Sequence, residues 1–342
     1  MKHSLSAALL PLLMLTGCSA GAEQEQPTRT AELFAMDTYM TLKASGASAE
    51  EALDKACERI RALEAQFSPG SETSDLSRIN HSGGLPVPVG RDTSVAVGTA
   101  LAVGADTGYA LNIALYPLSC AWGFPTDTYQ IPKEDTLKEL LTHTDCSKII
   151  LDDSVVIVPP TYELDLGAVA KGYTGDQVMK LFRDSGIESG IVNLGGNVQA
   201  LGNRPDGSQW SVGITDPAAP DSVLGTVDIT NCSVITSGSY ERYFEGEDGK
   251  RYWHILDPAD GCPADNGLTS VTVIGDNGAR CDALSTALFV MGTEKAAAYW
   301  KKEQSFDMIL VTDDGRILVT DGIASDFHPA DGKTAETLSH DG

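Results

Sequence analysis

The chain has 342 residues, of which 24 are basic and 48 acidic, so its formal net charge is −24. A surface this acidic repels phosphate backbones, and we therefore exclude nucleic acid as an expected partner. Any phosphate-bearing ligand must be held locally, by a cation, a metal ion or backbone amides.

The first residues have the features of an export signal. Lys2 and His3 precede an apolar run over residues 7–15, which is far shorter than the roughly 20 residues that span a bilayer as a helix. The run ends in Leu-Thr-Gly-Cys, which resembles the lipobox of bacterial lipoproteins, where the cysteine, here Cys18, is acylated. An ordinary signal peptide with an incidental cysteine is the alternative.

This interpretation gives an expected location and a division of the chain. We expect a lipoprotein signal peptide over residues 1–17 and a lipidated tether over residues 18–30. The lipid would anchor the protein at the extracytoplasmic face of a bacterial cell membrane, either in the periplasm or on the cell surface. One domain over residues 31–325 and a C-terminal tail over residues 326–342 complete the expected division.

The first half of the domain mixes helices with short strands. Apolar residues at positions 52, 56, 60 and 63 have the spacing of one helix face. In chain order the patterns predict a strand at 33–44, helices at 49–67, 74–80, 93–107 and 133–141, strands at 148–152, 155–158 and 163–166, and a helix at 168–183.

The second half is richer in strands. The patterns predict strands at 189–194, 198–201, 210–214, 225–229, 233–237, 250–256 and 268–274, helices at 280–291 and 294–302, and a hairpin at 307–319. Strands and helices without regular βαβ alternation indicate the α+β class. We therefore expect a twisted, largely antiparallel sheet with flanking helices.

Six cysteines follow Cys18, and none of them forms the CxxC pair of a zinc ribbon. Disulfide connectivity cannot be deduced from such spacings. We expect these cysteines to be small, buried, apolar residues.

The segment LDLGAVAKGY at residues 164–173 has the strongest pattern for anion binding. A predicted strand carries Asp165, a glycine permits a turn, and Lys171 falls near the start of the next helix. Helix N-termini attract anions through free amides and the macrodipole, and a lysine adds a full charge there. The alternative is a surface pair of Asp165 and Lys171 with a capping role.

The segment CDALST at residues 281–286 has a pattern suited to a hard cation. On a helix Asp282 and Thr286 are four residues apart and share a face. A carboxylate with a hydroxyl suits Mg²⁺, which prefers oxygen ligands. The alternative is an aspartate that complements the helix dipole and a threonine bonded to its own helix.

The segment VNLGGN at residues 192–197 lies between two apolar strands. Its two glycines permit positive φ and a close backbone approach. This suits either a ligand or a tight hairpin, and the motif alone does not decide between them.

The segment YWHILDPADG at residues 252–261 is a predicted strand that ends in a turn. His254 alternates with Leu256 along one face of it. A lone strand histidine is either a general base or a structural residue with its hydrogen bonds satisfied.

Taken together and in this order, these four motifs resemble the ApbE family of FAD:protein FMN transferases. The resemblance extends over roughly residues 33 to 320. It includes further segments: MDT at 36–38, FS at 67–68, SDLSRIN at 74–80, ALN at 110–112, PL at 117–118, WGF at 122–124 and TSGSYERY at 236–243.

The resemblance implies roles for individual residues. Mg²⁺ would be held by the carbonyls of Ala168 and Ser285 and by the side chains of Asp282 and Thr286. His254 would be the general base. The implied FAD contacts are Met36, Ala110, Leu111, Asn112, Asp165, Lys171 and Leu256.

Two positions depart from the family pattern. Gly70 stands where the family often has an aromatic residue that packs on the flavin nucleotide, and Asn112 stands where an acidic residue is usual. Both departures would alter the affinity or pose of FAD. Neither removes the implied metal site or the diphosphate site.

The resemblance also implies a reaction. With Mg²⁺, a threonine hydroxyl of an acceptor protein would attack FAD, FMN would stay attached through a phosphoester, and AMP would leave. The implied acceptors are flavoprotein subunits of membrane redox complexes. An FAD pyrophosphatase, in which water replaces threonine, and a non-catalytic FAD-binding lipoprotein are the alternatives.

Overall fold

A computed structural model describes residues 27–340. The predicted signal peptide, the lipidation residue Cys18 and most of the predicted tether lie outside the described residues. Strand β1 begins at Thr28, inside the range predicted for the tether.

The elements of the N-terminal half are, in chain order, β1 Thr28–Ala35, β2 Thr38–Ser45, α1 Ala49–Phe67, α2 Asp75–Asn80, β3 Val87–Pro88, α3 Arg91–Asp106, α4 Tyr116–Trp122, α5 Glu134–Leu141, β4 Ile150–Asp152, β5 Val155–Ile157 and α6 Gly167–Asp184. The predicted helix at 49–67 matches α1, because its buried residues follow the apolar spacing in the sequence.

The elements of the C-terminal half are β6 Ser189–Leu194, β7 Asn197–Leu201, β8 Trp210–Asp216, β9 Ala219–Ile229, β10 Ser233–Gly238, β11 Tyr243–Glu245, β12 Arg251–Trp253, β13 Leu268–Gly275, α7 Gly278–Glu303, β14 Asp307–Thr312, β15 Ile317–Thr320, β16 Phe327–Pro329 and β17 Ala335–Leu338. Helix α7 has non-helical backbone at Gly292, so it consists of the two predicted helices in series.

The centre of the fold is a nine-stranded sheet in the order β1-β2-β6-β7-β10-β13-β14-β15-β17. Its pairings are antiparallel except for the parallel pair β15 and β17. Together with the flanking helices, this arrangement confirms the predicted α+β class with a largely antiparallel sheet.

Two layers, one on each side, bury the two faces of this sheet. Helices α1, α3, α6 and α7 cover one face through two apolar clusters. The small sheet β16-β9-β8 covers the other face through a third cluster. Since α6 and α7 pack against each other and against β7, β10 and β13, one helix pair sits over the middle of the sheet.

The single strand predicted at 33–44 is instead a hairpin. Met36 and Asp37 have φ of 51° and 57°, and they form the turn between β1 and β2. Two successive residues with positive φ match the twist of a tight hairpin, even though neither residue is glycine.

The strand predicted at 163–166 does not form. Its backbone is bonded to other groups: Asn80 bonds both the N–H and the carbonyl of Leu164, at 2.7 and 2.9 Å, and the Asp165 N–H donates to the Ile113 carbonyl at 2.8 Å. A side chain therefore takes the place of a partner strand.

The C-terminal tail predicted at 326–342 contains paired strands. Strand β16 pairs with β9 and strand β17 pairs with β15, so ordered pairing continues past residue 325. Within residues 27–340, no helix is long and apolar enough to cross a membrane.

The six described cysteines are unpaired, but they are not all buried as expected. Cys146 and Cys281 are buried, Cys120 is exposed, and the other three are half-buried. The two buried cysteines match the prediction of small apolar residues in the core, whereas the exposed Cys120 does not.

Candidate active site

The site forms where helices α6 and α7 cross. Gly172 allows this contact: a Cβ there would lie 2.1 Å from the Gly278 carbonyl oxygen and 2.7 Å from the Asp282 Cβ. Asp176 of α6 accepts hydrogen bonds from the N–H groups of Gly278 and Ala279, at 2.8 and 2.9 Å, and so caps α7. The two backbones are therefore locked together at short range.

Asp282 lies inside this junction and is held at both oxygens. The Gly172 N–H donates to its Oδ2 at 2.8 Å, and the Asn197 amide donates to its Oδ1 at 2.9 Å. The carboxyl is buried, and this desolvation raises its pKa, while the Lys171 charge opposes the rise.

Three hydroxyls gather one turn further along α7. The Ser237 Oγ at the end of β10 lies 2.8 Å from the Ser285 Oγ and 3.2 Å from the Thr286 Oγ1. Ser285 is fully buried, and its hydroxyl also donates to the Asp282 carbonyl. Thr286 is half-buried and so remains accessible.

Helix α6 also contributes a backbone donor to this junction. The Gly172 N–H, four residues after Ala168, donates to Asp282. The Ala168 carbonyl therefore lies one helical turn before the residue that holds Asp282.

These groups fit a magnesium site of mixed oxygen ligands. No cluster of three or more His, Cys, Asp or Glu residues able to hold a metal exists within residues 27–340. One carboxylate with hydroxyl and carbonyl oxygens is the donor chemistry that Mg²⁺ accepts. The predicted set of Ala168, Asp282, Ser285 and Thr286 lies on the two crossing helices.

Lys171 is the cation next to this site. Its charge acts on four neighbouring groups: Asp165, Glu241, His254 and Asp282. Across the described part of the chain, its ammonium group has no hydrogen bond and no ion pair. A half-buried lysine without a partner can accept an anionic ligand.

Asp165 caps α6 and does not pair with Lys171. Its Oδ1 accepts the Gly167 N–H at 2.8 Å, which is the capping role weighed in the sequence. The pKa of Asp165 is raised overall, because desolvation outweighs the opposing effects of the Gly167 N–H and of the charges of Lys171 and Arg242.

His254 follows directly after β12, at the end of the two-stranded ribbon of β11 and β12. Its backbone N–H and its Nδ1 both lie near the Arg242 carbonyl, at 3.1 and 3.2 Å. Because a carbonyl only accepts, Nδ1 carries the proton and Nε2 is the free acceptor. Desolvation lowers the pKa of His254 to about 4.

The sequence interpretation assigned no role to Ser237, Glu241 or Arg242. All three lie in the TSGSYERY segment at residues 236–243. Arg242 is a second cation near Asp165 and His254. Glu241 is exposed to solvent, yet desolvation by the surrounding protein raises its pKa to about 7.

The other predicted FAD contacts lie at varying distances from this cluster. Met36 is close, because its Sδ is 3.7 Å from the Thr174 hydroxyl of α6. The Asn112 side chain is engaged within the protein: it donates to the Thr144 carbonyl in the segment after α5 and accepts the Ala114 N–H of its own loop. This leaves its backbone, rather than its side chain, available to a ligand.

Three of the predicted contacts are largely enclosed by the core. Leu111 and Leu256 are only 2% and 5% exposed, and Ala110 packs against the main apolar cluster. At Gly70, where the family often has an aromatic residue, an added Cβ would meet open space.

Comparison with known proteins identifies the family. The pattern of the ApbE family matches residues 36–310. A Klebsiella pneumoniae protein named FAD:protein FMN transferase is 37% identical over 290 residues, which cover 83% of this chain and 90% of that protein. The Escherichia coli K12 protein of the same name is 31% identical, with coverage of 90% and 92%.

Solved structures agree with this match. The ApbE protein of Thermotoga maritima aligns with a TM-score of 0.83 at 29% identity, over 88% of this chain and 99% of that chain. The flavin transferase ApbE of Vibrio cholerae aligns with a TM-score of 0.79 at 27% identity, over 88% and 100%. The chain therefore belongs to the ApbE family and is a transferase.

Proposed function

We propose that this chain is a Mg²⁺-dependent FAD:protein FMN transferase, which moves FMN from FAD to a threonine of an acceptor protein and releases AMP. The names of its relatives support the flavin substrate. The observation that carries the proposal is Lys171, a cation that acts on the anchored Asp282 and has no ion-pair partner within residues 27–340, in a chain of net charge −24.

Lys171 and the start of α6 orient the diphosphate of FAD. The helix N-terminus offers amides and a favourable dipole, and the lysine adds a full charge that draws the anion against the acidic surface. Arg242 provides a second positive charge near Asp165 and His254.

Asp282, Thr286 and the carbonyls of Ala168 and Ser285 would hold the Mg²⁺. When bound there, the ion supplies Lewis-acid stabilisation of the charge that develops on the phosphoryl oxygens. The junction of α6 and α7 orients these ligands in advance, because both oxygens of Asp282 already have donors.

His254 accepts the proton of the attacking hydroxyl. The threonine oxygen forms a bond to the phosphorus on the riboflavin side of FAD, the bond from that phosphorus to the bridging oxygen breaks, and AMP leaves with that oxygen. A histidine whose pKa is about 4 is neutral at physiological pH, so its free Nε2 is ready to accept.

The location and the partner complete the proposal. Acylation of Cys18 would hold the enzyme at the extracytoplasmic membrane surface, where flavoprotein subunits of membrane redox complexes would be its acceptors. The tether ahead of β1 would let the domain reach them.

The test is to incubate the full chain with FAD, Mg²⁺ and an acceptor domain, and to weigh the acceptor by intact-protein mass spectrometry. A gain equal to one FMN, lost when the acceptor threonine is replaced by valine, is expected. Release of free FMN without any gain would instead support the FAD pyrophosphatase. Binding of FAD with neither product would support an FAD-binding lipoprotein.

A further inference from the structure

Strand β7 presents two buried amide side chains to the crossing helices. Asn197 and Gln199 are two residues apart and so share one face of the strand. They are 2% and 3% exposed. The Asn197 Nδ2 donates to the Asp282 Oδ1 at 2.9 Å, whereas the Gln199 Nε2 donates to the Gly172 carbonyl at 2.8 Å.

The VNLGGN motif explains why Asn197 sits at this point. Gly195 and Gly196 have φ of 65° and 96°, which is the backbone of a two-residue hairpin turn, and Asn197 is the first residue after it. A Cβ at Gly195 would lie 2.2 Å from the Thr38 hydroxyl, so a larger residue would disturb the turn. The turn therefore fixes where Asn197 begins β7.

The amide of Asn197 restricts rotation of the Asp282 carboxylate, which the Gly172 N–H alone does not fix. The carboxylate torsion of aspartate has a broad distribution. The Gly172 N–H holds only the Oδ2 of Asp282, and the Asn197 amide holds the Oδ1. With both oxygens held, the carboxylate loses little freedom when it binds a cation.

We propose that Asn197 is a positioning residue that fixes the Asp282 carboxylate for metal binding. This inference rests on the proposed function, since it takes Asp282 as a metal ligand. Gln199 provides a matched comparison, because it is an equally buried amide on the same strand face, but its side chain bonds the Gly172 carbonyl and Asp176 instead of Asp282.

The test measures metal binding directly. Mn²⁺ is titrated into the full chain saturated with FAD, and free Mn²⁺ is followed by electron paramagnetic resonance, with protein-free FAD as the blank. The proteins compared are the wild type, Asn197→Leu, Gln199→Met and Asp282→Ala. FAD affinity without metal is measured in parallel by flavin fluorescence.

We expect Asn197→Leu to raise the dissociation constant for Mn²⁺ about 10- to 100-fold, the usual effect of removing a partner of a metal ligand. Gln199→Met should change it by less than about twofold, and neither variant should alter metal-free FAD binding. If Asn197→Leu lacks a cooperative thermal transition, Asn197→Ser, which is smaller and still polar, replaces it in the comparison.

Three outcomes would overturn the inference, and they differ in what else they overturn. If Asp282→Ala loses Mn²⁺ but the Asn197 variant binds it as the wild type does, Asn197 has no positioning role and the proposed metal site stands. If Asp282→Ala binds Mn²⁺ normally, the metal site and the role of Asn197 are both wrong. Equal weakening by Gln199→Met would mean a general packing effect.

Discussion

The junction of α6 and α7 and the neighbouring groups Lys171 and His254 differ in how their polar atoms are satisfied. In the junction, Asp282 and Asp176 are bonded to backbone N–H groups or to an amide. Outside it, Lys171 has no hydrogen-bond or ion-pair partner within the described residues, and within the same residues no donor is recorded for the Nε2 of His254.

This difference separates rigid support from substrate binding. Buried polar groups that are satisfied fix the position of a ligand-bearing side chain. Polar groups without protein partners remain available to form hydrogen bonds or ion pairs with a bound substrate. Each of the four predictions alters one of these two groups of residues, and the expected effects decrease in order.

The first prediction removes the centre of the junction. Asp282→Ala should abolish FMN transfer, since it deletes the only carboxylate of the proposed metal site. Asp282→Asn, which keeps the shape without the charge, should be equally inactive. Transfer is measured by the mass of the acceptor. Normal transfer by either folded variant would show that Asp282 does not serve the reaction.

The second prediction addresses His254, the proposed general base. His254→Ala should lower the rate of transfer about 10²- to 10⁴-fold at saturating FAD. His328→Ala, at an exposed histidine on β16, is the control and should be active. A variant with weaker FAD binding but normal saturated turnover would limit His254 to shaping the flavin pocket.

The pH profile sharpens this second prediction. A base must be neutral to accept a proton, so the rate should rise with pH through the pKa of about 4 and then level off. An unperturbed histidine would place that rise near pH 6.5. A rise centred near neutral pH would contradict the lowered pKa of His254. Glu241, whose pKa is raised to about 7, would then be the titrating group if Glu241→Gln removed that rise and His254→Ala did not.

The third prediction concerns Lys171. Lys171→Ala should weaken FAD binding about 10- to 100-fold, the usual loss for a hydrogen bond to a charged group. Lys180→Ala is the matched control, because Lys180 lies on the same helix but is exposed and paired with Asp184. Unchanged affinity in a fluorescence titration would leave Lys171 without a role at the diphosphate.

The fourth prediction tests how closely the helices approach. Gly172→Ala should destabilise the fold by about 1–3 kcal/mol, because the added methyl meets the Gly278 carbonyl. Gly98→Ala in α3, where only the Leu151 side chain is near, should be neutral or slightly stabilising. Urea unfolding measures both. Equal stability of the two variants would mean that the junction can open without cost.

Much of the fold followed from local patterns. The period of α1 and the turn residues around the strands predicted most elements, because these signals depend on neighbouring residues alone. The prediction was wrong at residues 163–166, where the partner is the distant Asn80 side chain, and at the turn of Met36 and Asp37, which lacks glycine.

The site divides in the same way. The family, the acidic charge and the motifs that carry Asp165, Lys171, His254 and Asp282 could be predicted without coordinates, since they are read from residue identity and order. The roles of the individual residues came from the resemblance to the family, because spacing alone left alternatives open at each motif.

How these residues act on one another depends on contacts between distant segments. The tertiary structure brings the Gly172 N–H to Asp282 and the Arg242 carbonyl to His254, and it places Asn197 against a carboxylate 85 residues away. It also moves the pKa of His254 down to about 4. The physical reason is that desolvation and hydrogen bonding depend on which segments pack together, and residue order along one segment does not specify that.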